Sequence, residues 1–288
     1  MKSWQTLLSI GLCLGLLAGC GADADGPCLA DPAKDPAATE LAEYPTLTCR
    51  IVDGAEEGDL LLAELSGSGV YRIAVTEETP ATLDGEPASA ADLEDGMPVT
   101  IKFDGQVQES YPAGLGEIYG VSAWSLGTEQ NPGGGYYDLC GLYLQVLEDL
   151  WEVDGGLNGG VEVLGLDLSR APGGLTESEQ AALAWRFGEL HGLPVVTGTY
   201  EELVEQGYIT GEPLEGTDAK FWQWEDGVLF TIEANEDHEG EAYSLPALFF
   251  DAEKWRSGLG AYFFHDCSCL WPEMGTWTGY SVGSEMIS

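Results

Sequence analysis

The sequence predicts a mixed fold in which a small β-barrel domain is followed by an α+β domain with a mostly antiparallel sheet. Three observations lead there. Between Leu47 and Leu126, short apolar runs alternate with Gly, Asp and Pro turn residues. From Leu139 the apolar positions fall three and four apart, and two helix-opening signatures follow. After Phe221 the chain returns to strand-like runs as far as Ile287, and helices followed by strands indicate an α+β layer.

Composition limits what such a chain can do. It has 288 residues, 44% of them hydrophobic, with nine tryptophans, enough to build cores and to exclude disorder for most of its length. Ten Lys and Arg stand against fifty Asp and Glu, a formal charge of −40. A surface this acidic repels phosphate backbones and anionic lipid, which excludes nucleic acid as a partner. It favours cations, basic proteins or neutral glycans, or serves solubility alone.

Residues 1–20 have the form of an export signal: Lys2 as the positive start, an apolar run from Leu7 to Leu17, and Leu17-Ala18-Gly19-Cys20 as a small-residue cleavage site. The apolar run is shorter than the ~20 residues a spanning helix needs. The Leu-Ala-Gly-Cys ending resembles the bacterial lipoprotein signal. The resemblance implies that Cys20 receives a diacylglyceryl group and that the mature protein sits on the extracytoplasmic face of the cell membrane, held by lipid. Five protein thiols then remain, Cys28, Cys49, Cys140, Cys267 and Cys269. Five is too scattered and too odd a set for a disulfide framework.

Residues 21–45 read as a tether, broken by Asp31-Pro32 and Asp35-Pro36. Strands are expected at Arg50–Val52, Leu60–Leu65, Val70–Val75, Val99–Phe103 and Ile118–Trp124, with Ser66 to Gly69 turning a hairpin. The turn-then-strand stretch Leu93 to Ile101 and the length of 46–126 fit a five-stranded OB-like barrel, an open antiparallel sheet being the alternative. The segment Phe103-Asp104-Gly105-Gln106-Val107-Gln108-Glu109-Ser110-Tyr111-Pro112, after the Gly96 turn, resembles the end of an uncharacterised domain found in exported proteins of Gram-positive bacteria. That resemblance spans residues 47–126 and implies a barrel and the same compartment, but no activity.

Asn131-Pro132-Gly133-Gly134-Gly135 marks 127–135 as a linker, with the second domain at 136–288. Leu139, Leu142, Tyr143, Val146, Leu147, Leu150 and Trp151 share one helical face, and Val161 to Leu168 alternates as a strand. Thr176 with Glu179 opens a helix closed by Gly192, and Thr199 with Glu202 opens a short one ended by Gly207. Trp222 to Phe230 reads as a hairpin turning at Asp226-Gly227. Strands are expected at Tyr243–Phe250, Ala261–Cys269 and Trp277–Ile287.

Few residues suggest chemistry. Gly279-Tyr280-Ser281-Val282-Gly283 matches a nucleophile elbow, but no histidine follows Ser281. Glu236-Asp237-His238-Glu239-Gly240-Glu241 has carboxylates for calcium without the alternating spacing of a calcium loop, so a solvated tip is expected. His265, Cys267 and Cys269 alternate on an expected strand and would share a face, open to three readings: packed or free thiols, a disulfide, or a soft-metal site. Trp222 and Trp224 on one strand face are a candidate glycan platform against a default of core packing. No nucleophile, base and orienter can be assembled, so neither catalytic residue nor cofactor is assigned. The expectation is non-catalytic binding or scaffolding at the cell surface, to a cell-envelope protein or glycan. The alternative is a carboxylate-dependent glycan hydrolase.

Overall fold

The computed structural model describes residues 44–125, 138–238, 247–270, 277 and 279–288. The expected signal, lipidated Cys20, most of the tether and the linker at 127–135 lie outside the described residues. Residues Glu43–Ser288 pack as one compact unit. It is rich in strands, with few helices, and holds two mixed sheets.

The first sheet is built from β1 (Thr46–Asp53), β2 (Asp59–Glu64), β3 (Val70–Ala74), β4 (Ala81–Leu83), β5 (Glu86–Ala88), β6 (Pro98–Phe103), β7 (Ala113–Gly114) and β8 (Ile118–Ala123), in the order β5-β4-β8-β6-β1-β2-β3-β7. The five expected strands are β1, β2, β3, β6 and β8. The expected barrel does not close, because the path ends on β5 and β7, which do not pair with each other. Both are very short, and Pro87 in β5 has no N–H to offer another strand.

The second sheet follows α1 (Leu139–Glu152). It comprises β9 (Val163–Arg170), β10 (Val195–Thr197), β11 (Thr210–Pro213), β12 (Lys220–Gln223), β13 (Gly227–Ala234), β14 (Ala247–Ser257), β15 (Gly260–Leu270), β16 (Tyr280–Ser281) and β17 (Ser284–Ile287). Helix α2 (Glu177–His191) lies between β9 and β10, and α3 (Tyr200–Glu205) follows β10. Among the described residues only the β10–β9 and β9–β13 pairs of this sheet are parallel, so it is mostly antiparallel as expected. Both capping boxes form, Thr176 with Glu179 and Thr199 with Glu202, and Gly192 closes α2 in the left-handed region at φ 64°.

The hairpin expected at Asp226-Gly227 is absent. β12 and β13 each pair antiparallel with β14, so the chain keeps its direction and is only interrupted there. The interruption buries the Trp224 indole against Gly227, where a Cβ would stand 2.0 Å from the ring. Trp222 lies instead in the β11–β12 hairpin, and β14 turns into β15 at Gly258-Leu259.

Helices α1 and α2 join the two sheets. One face of the first sheet buries Ile51, Leu60, Leu62, Ile73, Val99 and Ile101. Val52, Leu61, Ala63 and Val70 on the opposite face enter a single cluster with Leu142, Leu147, Phe187, Phe230 and Phe250. Burial on both faces explains the unbroken apolar run Leu60-Leu61-Leu62-Ala63. The seam is polar at its centre. Arg50 Nε donates to Glu179 Oε1 at 2.7 Å, both side chains being buried, and Ser178 Oγ donates to the Glu64 carbonyl at 2.7 Å.

Candidate functional site

A groove of about 830 Å³ runs along the outer side of α2. Ala181, Ala184, Trp185 and Gly188 form its floor, Leu193, Val195 and Thr197 one wall, and the exposed ring of Tyr111 from the first sheet the other. Glu177 and Glu189 stand on its rim. Gly188 brings the helix close to β10: a Cβ there would meet Leu193 O and Val195 Cγ2, each at 2.7 Å. At the far end of β10 a smaller hollow of about 230 Å³ is lined by Asp167, Gln180, Thr197 and Glu202.

A second polar feature lies on the sheet face turned away from α1 and α2. In register, Glu253 stands opposite Thr231 and Asp251 opposite Glu233. Alternation then puts all three carboxylates on one face. Burial, with the neighbouring Glu233 charge, pushes the Glu253 carboxyl up to about 7. Arg170 pairs with Glu233 at 2.8 Å. Glu253 and Glu233 lie side by side on this face rather than across a cleft from one another.

The other singled-out residues are distributed differently. The strand expected to align His265, Cys267 and Cys269 contains a bulge between Asp251 and Asp266, and Asp266 adopts φ 53°. Cys267 and Cys269 therefore point into the core with raised pKa values of about 12, caused first by burial, while half-exposed His265 turns to Asp251 at 3.8 Å. Cys49, Cys140, Cys267 and Cys269 are free thiols, and no group of three or more His, Cys, Asp or Glu suited to a metal occurs among the described residues. Trp224 is 1% exposed, and half-buried Trp222 packs on the small core cluster around it with Lys220 over its ring, so the two indoles do not make a shared platform. Ser281 shares a 2.9 Å hydrogen bond with Ser268. Of the acidic loop, Glu236–His238 form a 3₁₀ turn and 239–241 lie outside the described residues.

Sequence reading missed the groove because β10 is only three residues long. Its signal was the β-branched pair Val195-Val196 between Pro194 and Gly198. The Arg50–Glu179 pair and the Lys254 contacts left no sequence signal, since the partners lie more than a hundred positions apart, and Glu179 was legible only as half of its capping box.

No protein-family model, curated protein or solved structure matches the chain.

Several carboxyls fix how stability should depend on pH. Burial raises Asp138, the N-cap of α1, to about 6, although Gly141 N–H and Trp277 Nε1–H donate to it, and burial likewise raises Asp95. Glu253 is raised to about 7. A carboxyl raised by folding holds its proton better in the native state. Its contribution is complete below the ordinary value near 4 and is lost as pH rises through 6 and 7. The melting temperature is expected to be higher at pH 5 than at pH 8 by about 5 °C or more. Glu253→Gln should flatten that difference, and a variant retaining the full difference would refute the assignment.

Proposed function

We propose that this is a lipid-anchored extracytoplasmic protein that acts by non-catalytic binding at the cell surface. The groove beside α2 carries this reading: it is concave, largely apolar with a few polar groups, and joins both halves of the fold. Its lining contains no Ser, Cys or His to serve as nucleophile or base. The anchor is supported by Leu17-Ala18-Gly19-Cys20, and no helix among the described residues is long and apolar enough to cross a membrane. Cys20→Ser is expected to move the protein from the membrane fraction to the soluble one, and its retention in the membrane would remove the anchor.

A second reading, a glycan hydrolase, is favoured by Glu253, whose raised carboxyl beside Glu233 has the character of a general acid. Its weakness is the shared flat face. Incubation with cell-wall glycan fragments decides between them. Release of reducing ends that is lost in Glu253→Gln would replace the binding reading with this one, whereas no release by either protein supports binding.

A further inference from the structure

We propose that the outer edge of β10 captures an extended basic peptide segment as an added strand, its side chains seated in the groove beside α2. This rests on the binding reading above and names the ligand class. Among the described residues β10 ends the sheet and pairs only with β9. The Pro194 carbonyl accepts from Leu164 N–H at 2.9 Å, and Gly198 N–H donates to the Leu166 carbonyl at 3.2 Å. In a parallel ladder alternate residues turn toward the neighbour, so Val195 and Thr197 turn their N–H and C=O groups outward. No partner meets these groups among the described residues. An open strand edge is a template for another chain, and side-chain pockets beside it select which one. Here the pocket is the groove, floored by Ala181, Ala184 and Trp185.

Charge chooses the occupant. Arg72 and Arg186, the cations alongside, are already paired with Asp59, Asp53 and Glu189. Glu177, Asp167 and Glu202 on the groove and the adjoining hollow have no cation among the described residues. A lysine- or arginine-bearing strand supplies that charge. A second copy of this chain would bring the same acidic rim and a net −40, so self-pairing at this edge is disfavoured. A glycan would leave the outward amide and carbonyl groups of β10 without the regular alternation a peptide backbone matches.

The test uses the full chain carrying Cys20→Ser, with fluorescence anisotropy of a labelled ten-residue peptide of alternating valine and lysine. Saturable binding is expected. It should weaken at least about tenfold when the peptide amides are N-methylated, when glutamate replaces lysine, and in Trp185→Ala. Thr197→Pro, which removes an outward N–H, should weaken it with an unchanged melting curve. Equal affinity for the methylated or the acidic peptide, or no binding by any peptide, overturns the proposal. So does self-association, seen in sedimentation, that Thr197→Pro abolishes. Glycan turnover lost in Glu253→Gln would instead defeat the binding reading beneath it.

Discussion

Arg50→Met is expected to cost about 3–5 kcal/mol of stability, the largest single effect outside the apolar core. Arg50 lies on β1, in the first sheet, and Glu179 in the first turn of α2. Both are about 5% exposed, so neither charge has water to fall back on. The guanidinium also donates to the Gly96 carbonyl at 2.9 Å, while Glu179 Oε2 accepts from Thr176 N–H at 2.8 Å as half of the capping box. Removing the arginine strands a carboxylate that the helix start still requires. Two controls isolate this cause. Arg50→Met combined with Glu179→Gln keeps a cap acceptor without a buried charge, and should recover much of the loss. Exposed Arg72→Met, whose partners Asp59 and Glu189 are solvated, should cost no more than about 1 kcal/mol. Urea unfolding measures all three, and a loss below about 1 kcal/mol for Arg50→Met would mean that the seam does not depend on this pair.

Lys254→Met should cost about 2–3 kcal/mol for a related reason. The β14 side chain is fully buried, and its Nζ donates to the carbonyls of Trp151, Val153 and Asp154 at 3.1, 2.8 and 3.4 Å. Those carbonyls end α1, where the helix presents acceptors and negative dipole without internal donors. Methionine would fill the volume and leave the acceptors buried and unpaired, although loss of a buried charge offsets part of that cost. The pH dependence separates the two effects. Burial lowers the Lys254 ammonium from 10.5 to about 8. Between those values the unfolded chain holds a proton that the folded chain has released, so stability contributed by this group rises with pH from about 8 to 10.5. Lys254→Met should lose that rise, and a variant that keeps it would show that another group is responsible.

The contrast between these charges and the helices around them shows what could be read in advance. α1 was legible because seven apolar residues repeat at helical spacing, and all but Trp151 are buried. α2 and α3 were legible because a capping box is a contact between residues three apart, written in one short stretch of sequence. The strands β1, β2, β3, β6 and β8 were legible as apolar runs between turn residues. The hairpin at Asp226-Gly227 was misread because a turn signal does not specify what pairs afterwards. The strand running beside both β12 and β13 is β14, supplied from later in the chain. The shared face of His265, Cys267 and Cys269 failed for a similar reason, since one bulge residue reverses the alternation on which that reading rests.

The sequence by itself determined the helices α1, α2 and α3 and the strands β1, β2, β3, β6 and β8, the strongly acidic composition, and the lipoprotein-like start on which the proposed location rests. Those are properties of composition and of residues a few positions apart, where propensity, periodicity and capping act. Only the tertiary structure decided that the first sheet stays open, that the β1–β3 surface and α2 share a core, that Arg50 meets Glu179 across the seam, and that β10 ends the sheet with its edge facing a groove. These depend on contacts between residues tens to more than a hundred positions apart. Such pairings are settled by which surfaces bury one another, and an individual side chain carries no mark of the distant partner it will meet.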